Sequence, residues 1–201
     1  MQTPAAMVAG IVCAPLGLIL VFTAVITPHW RECQVRAGRA WALRTDGLWE
    51  SCLQVAESDF KVCWPVSGAY YRDAHVRWAR GLLLSSLFLC GTGIVLASVG
   101  VRCWMDFPQR NVAGTSGLVV LVSGLLCLAT LGLYVSNIQA LGSNPKLVWH
   151  RGGSSLYFGW VGGGIQILGG AVLSLSFKRP KCPMCPTKAP SGDKDSYDIS
   201  C

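Results

Sequence analysis

Charge is what this chain has least of. Only 13% of its 201 residues are Asp, Glu, Lys or Arg, against about 25% in an ordinary soluble domain. The deficit is concentrated in four windows, about 7–27, 80–101, 115–135 and 156–177, and the one charge within them is Arg80, at an edge. A soluble helical protein would place polar residues at helical period in each window. These windows have no such pattern, and each has the roughly 20 residues a helix needs to cross the hydrocarbon of a bilayer. Histidine is also scarce. His29, His75 and His150 lie far apart in the sequence, which argues against a histidine metal centre or catalytic cluster, so no cofactor and no enzyme are expected. Asn-x-Ser/Thr acceptor sites are missing from the polar loops.

The chain therefore reads as four membrane spans with both termini on one side. The first window has no basic segment before it, contains Pro15 and lacks a small-residue cleavage site, so it reads as a retained span and not a signal peptide. Residues 28–79 form a large first loop, 102–114 a short link, 136–155 a second loop, and 178–201 a tail. The tail and the link hold seven Lys or Arg in under 40 residues, and the two loops hold nine in about 70. That density favours a cytoplasmic tail, modestly. The formal net charge of +7 is divided between two sides of a membrane, so no single nucleic-acid patch forms.

A 50-residue loop is too long for a connector and needs a core of its own. Trp30, Trp41, Leu43, Leu48, Trp49, Val55, Phe60 and Trp64 could supply one. Residues 39–43 and 48–55 suit strands, with turns at Asp46-Gly47 and Glu57-Ser58-Asp59. The expectation is a small antiparallel sheet resting on the helix ends.

Within this loop Trp30, Gly47-Leu48-Trp49, Cys52 and Cys63 follow the spacing W-x18-W-x2-C-x10-C. The pattern resembles the first extracellular loop of the claudins. Further matching residues are Arg80 before the second span, Val99-Gly100-Val101-Arg102-Cys103 at its exit, Asn144-Pro145 in the second loop, and Ser155-Leu156-Tyr157-Phe158-Gly159-Trp160 with Gly169-Gly170 in the fourth span. The loop signature alone is shared with peripheral-myelin-like proteins, lens fibre membrane proteins and calcium-channel γ subunits; the fourth-span residues favour claudins. The resemblance implies a left-handed four-helix bundle capped by a five-stranded extracellular sheet. It also implies a plasma-membrane protein of tight junctions, with both termini cytoplasmic, that binds itself and other claudins within one membrane and across to the next cell. The implied function is adhesion and a paracellular barrier. The alternatives are a paracellular anion-preferring channel, or an accessory subunit that regulates a channel or its trafficking.

The resemblance implies a Cys52–Cys63 disulfide, with two free thiols as the alternative; a disulfide would persist only outside the cytosol. Cys33 is then an extra cysteine, expected to be buried, with pairing between molecules as the alternative. Trp30, Gly47, Leu48 and Trp49 are expected to anchor the sheet on the bundle, and Arg80 either to sit at the interface or to tie the sheet to the helices. Where relatives often carry a charge beside the loop cysteines, this chain has Leu53 and Trp64, which weakens a cation-channel reading. The cluster Arg31, Arg36, Arg39 and Arg44 is the candidate pore or barrier lining. Asn144, Pro145, Leu147, Val148 and Trp149 form a candidate contact with a facing partner. Gly159, Gly163, Gly169 and Gly170 permit close helix approach. Cys103, Cys182 and Cys185 are candidates for palmitoylation in contact with membrane lipid. Ile199 and Cys201 give a weak terminus for a PDZ scaffold.

Overall fold

The computed structural model describes residues 5–37, 40–55, 61–65, 68–102, 110–138 and 147–175. Four long helices, α1 (Ala5–Ile26), α3 (Ala74–Arg102), α4 (Arg110–Asn137) and α5 (Ser154–Ser174), are long and apolar enough to cross a membrane. A one-turn helix, α2 (Ala69–Arg72), precedes α3. Two helices are longer than the apolar windows suggest. The second starts six residues before Arg80, because Ala74 to Ala79 continue the helix with His75, Arg77 and Trp78 on its exposed side and Val76 buried. Hydropathy marks the hydrocarbon, whereas a helix continues as far as its backbone can bond.

Small residues set the helix packing. In α5 the glycines fall in two stripes seven residues apart. A Cβ on Gly162 or Gly169 would press on α1, at 2.9 Å from Leu20 Cβ and 2.8 Å from Cys13 Cβ. On Gly163 or Gly170 it would press on α4, at 2.8 Å from Leu128 Cδ2 and 2.5 Å from the Leu121 backbone nitrogen. α5 is thus wedged between α1 and α4 with backbones nearly touching. In lipid, where apolar burial gives helices little reason to associate, such close contact supplies the attraction. Gly159 faces Leu131 on α4 in the same way.

Above the helix ends lies one antiparallel sheet of five strands: β1 (Arg31–Ala37), β2 (Ala40–Asp46), β3 (Glu50–Val55), β4 (Lys61–Pro65) and β5 (Leu147–Gly152). Their order is β4-β3-β2-β1-β5. The second loop therefore contributes an edge strand beside β1, and β4 forms the opposite edge. β2 and β3 fall where the alternating stretches suggested. The turn between them is Gly47-Leu48-Trp49, closed by the Gly47 amide donating to Glu50 O at 2.8 Å. Gly47 has no positive φ; it is small because a Cβ would lie 2.5 Å from Pro28 Cα. The second expected turn, Glu57-Ser58-Asp59, lies outside the described residues.

Backbone bonds fasten sheet and bundle. Gly153 N donates to Trp30 O and Ser155 N to His29 O, at 3.0 and 3.1 Å. The hydroxyls of Thr27 and Ser155 meet at 2.7 Å. The end of α1 and the start of α5 are in this way tied at the base of the sheet.

Candidate functional site: the junction between sheet and bundle

The register of the sheet brings Gly152, Arg31, Asp46, Ser51 and Trp64 into one row across five strands. Asp46 is the centre of that row and is fully buried. Arg31 Nη2 donates to its Oδ2 at 3.0 Å, and Ser51 Oγ and Arg44 Nε donate to its Oδ1 at 2.7 and 2.9 Å. A buried carboxylate is tolerable only with such a set of donors. Arg31 also lies 4.9 Å from the centroid of the Tyr70 ring. Burial alone would lower the basicity of Arg31, but the adjacent Asp46 carboxylate outweighs it and the net shift is upward. Arg31 stays charged.

Of the four arginines expected to line a pore or barrier, Arg31 is 3% exposed and is paired with Asp46. Arg44 shares the same carboxylate and is only partly exposed. Arg36 lies in β1 with its side chain outside the described residues, and Arg39 lies outside them altogether. The sequence signal for the pairing is Asp46 itself, but beside Gly47 it reads as half of a turn dipeptide and not as an ion-pair partner.

Around this row the anchoring residues divide. Trp30 is fully buried; its Nε1 donates to Ala24 O of α1 at 2.7 Å, and its ring meets Tyr134 of α4 edge-on at 5.1 Å. Leu48, Tyr70, Val76 and Leu83 belong to the same cluster. The Tyr70 and Tyr134 hydroxyls bond each other at 2.7 Å, and burial pushes the Tyr70 phenol up to about 12. Trp49 differs from Trp30. It is 41% exposed and packs against the Arg80 guanidinium, 5.3 Å from its ring centroid, while Tyr71 covers another side at 4.6 Å. Arg80 is thus held by aromatic rings and not by an acid: among the described residues it makes no ion pair.

One row above Asp46, Cys52 and Cys63 face each other on β3 and β4 and form a disulfide. Cys33 is buried on β1, its thiol donating to Arg44 O at 3.5 Å, and burial raises its pKa to about 11. Leu147, Val148 and Trp149 belong to β5, with side chains outside the described residues. Asn144, Pro145, Cys103, Cys182, Cys185, Ile199 and Cys201 lie outside the described residues. Among the described residues no group of three His, Cys, Asp or Glu is arranged to hold a metal ion.

A membrane bundle whose loops form one disulfide-bonded sheet matches known proteins. Residues 4–173 match the PMP-22/EMP/MP20/Claudin family. The chain is 32% identical to mouse Claudin-23 over 98% of its own length and 69% of the relative's. It is 34% identical to human Claudin-23 over 88% of its length and 62% of the relative's, so the chain spans roughly two thirds of these two proteins. Dog Claudin-4 is 27% identical over 90% of the chain and 87% of the relative. The chain is a multi-pass membrane protein, and it belongs to the PMP-22/EMP/MP20/Claudin family.

Proposed function

We propose that the protein is a tight-junction adhesion and barrier protein that assembles side by side into strands and meets partners on the next cell. The observation carrying this reading is the seating of a five-stranded sheet on the spans, through Trp30 Nε1 on Ala24 O and the amides of Gly153 and Ser155 on Trp30 O and His29 O, with the row Arg31–Asp46–Ser51 binding the central strands to one another. A sheet fixed in this way presents edge strands and loops at a constant height and angle above the membrane. Repeated lateral contact between copies requires that constancy. The sheet side is extracellular, since the Cys52–Cys63 disulfide suits an oxidising compartment.

Barrier is favoured over pore by charge. Two of the four arginines that could have attracted anions are committed to Asp46, whose single negative charge offsets one of them. Leu53 and Trp64 after the cysteines add no charge. A selective path needs uncompensated charge facing water.

Expression in fibroblasts that lack tight junctions, with freeze-fracture of the contacts, tests assembly. Continuous intramembrane strands are expected. Surface delivery without strands, together with co-purification of a pore-forming partner, would favour the accessory-subunit alternative. In epithelial monolayers the expected result is a rise in electrical resistance with no change in the chloride-to-sodium permeability ratio. A shift toward chloride that Arg36→Glu reverses would instead identify an anion channel.

A further inference from the structure

At the top of a membrane span, Arg80 forms no ion pair with any described residue. Among the described residues no acceptor lies within hydrogen-bonding distance of its Nε or Nη2, although both atoms are enclosed. The rings of Trp49 and Tyr71 enclose them from two sides, and both rings are themselves exposed on their outer faces. Ring faces attract a guanidinium but cannot accept its directional N–H bonds as an oxygen does. Leaving such donors unmet in a desolvated site is costly. The arrangement is a fork awaiting an anionic oxygen.

The surroundings identify the anion's source. Trp78, two residues before Arg80 on α3, is 69% exposed, and Trp49 and Tyr71 lie at the same end of the helix. Exposed indoles and phenols at one level mark the headgroup zone of a bilayer. Below Arg80, on the same face of α3, come Leu87 two turns down and Gly91 three turns down, about 10 and 16 Å along the axis. Both line an open apolar groove between α3 and α1, together with Phe88, Val95, Leu18 and Phe22. Gly91 leaves the groove floor clear, since a Cβ there would meet nothing within 4 Å. A cation above an apolar channel is complementary to one kind of molecule, an amphiphile with an anionic head and a hydrocarbon tail. The headgroup zone of one leaflet is roughly 5–8 Å deep, comparable to the interval between Arg80 and the start of the groove.

We propose that Arg80, Trp49 and Tyr71 hold the phosphate of one glycerophospholipid of the sheet-side leaflet, and that one of its acyl chains lies in the groove between α1 and α3. The guanidinium donates to the phosphate oxygens, and the exposed Trp49 ring turns aside to admit them. Bound there, the lipid joins the β2–β3 turn, which carries Trp49, to α3. The site stands whether or not the protein forms strands.

Native mass spectrometry of the full chain in detergent, with phosphatidylglycerol as probe, tests the site. The wild type is expected to retain one phosphatidylglycerol and to reject a diacylglycerol with the same chains. Arg80→Gln is expected to weaken retention about tenfold, and Arg80→Lys, which keeps the charge but not the fork, by less. Gly91→Leu, which fills the groove where there is room, is expected to weaken retention while leaving the thermal melt in place. Because this variant does not touch the cation, it tests the site even if Arg80→Gln fails to fold. Equal retention by wild type and Arg80→Gln, equal binding of diacylglycerol, or no retained lipid at all would overturn the proposal. An Arg80-dependent dimer free of lipid would also overturn it, by assigning the missing acceptor to a second copy of the chain. Full retention by Gly91→Leu would overturn the placement of the acyl chain.

Discussion

The bundle and the sheet of this protein are held together by opposite means. Within the bundle glycines let the helices approach closely, as where Gly124 and Gly163 oppose each other on α4 and α5, a Cβ on the first falling 2.8 Å from the carbonyl of the second. Within the sheet the centre is a buried carboxylate with three donors and a disulfide one row away. The solvent on each side explains the difference. Lipid gives helices no hydrophobic reason to associate, so they approach until dispersion suffices. A small sheet in water buries too little apolar surface to stand alone and takes support from a cross-link and from specific polar pairing. A substitution at the base of the sheet should therefore act through unpaired charge, and one in the bundle through volume.

The largest effect should come from Asp46→Ala. It leaves Arg31 buried with its carboxylate removed, a loss of about 3–5 kcal/mol. Thermal melts of the purified protein should show it, and delivery to the cell surface should fall with it. Replacing Arg31 and Asp46 together by apolar residues of similar volume should recover part of the loss, because no charge is then stranded. If Asp46→Ala alone were harmless, the row would not be what holds the central strands of the sheet together.

Removal of the disulfide by Cys52→Ser with Cys63→Ser should cost roughly 2–3 kcal/mol, since the bond closes a short loop of the unfolded chain. The loss should appear as faster proteolysis of the sheet under conditions where the bundle resists. Equal loss in both regions would show that the sheet and bundle unfold as one unit.

The bundle offers a test on adjacent residues. Gly163→Ala places a methyl 2.8 Å from Leu128 Cδ2, and Gly170→Ala places one 2.5 Å from the Leu121 backbone nitrogen. A side-chain terminus can move and a backbone cannot, so Gly170→Ala should be the worse of the two, at about 1–3 kcal/mol. Gly164→Ala meets nothing within 4 Å and should be neutral or gain about 0.5–1 kcal/mol from helix propensity. Denaturant titration of the three variants in micelles measures the order.

These two modes of support were not equally legible in the sequence. Four apolar windows and recurring glycines disclose a close-packed bundle, because volume and hydropathy are properties of single residues. Two strands were legible on either side of Asp46-Gly47. β1 was not, because Arg31-Glu32-Cys33-Gln34-Val35-Arg36 alternates polar residues on both faces, and its inward positions are Arg31 and Cys33. Such a run reads as solvated surface. Only the pairing of Arg31 with Asp46 makes the inward face tenable, and that pairing joins residues 15 apart through a register that single-residue properties do not encode. The aromatic enclosure of Arg80 was hidden for the same reason, since Trp49, Tyr71 and Arg80 come from a strand turn and two helices.

The smallest expected effect is a pH dependence confined to the sheet. His29 sits at its base, where burial and then the nearby Lys61 lower its pKa, against an opposing pull from Glu32. The unfolded chain, with a histidine near 6.5, then takes up the proton more readily than the folded one. Stability is complete above that value and falls as the pH drops from it through the lower folded pKa. The ring is about a third exposed, so the change is small. Lys61→Ala should shrink it by removing the second cause, and Glu32→Gln should enlarge it by removing the opposing one. Hydrogen exchange at pH 7.5 and pH 5 separates the regions: amides of β1 and β2 should lose protection at the lower pH while those of α4 and α5 keep theirs. Loss in both would mean that proton uptake at His29 is felt through the Ser155 amide bonded to the His29 carbonyl, making the base of the sheet a coupling point between two otherwise differently built halves.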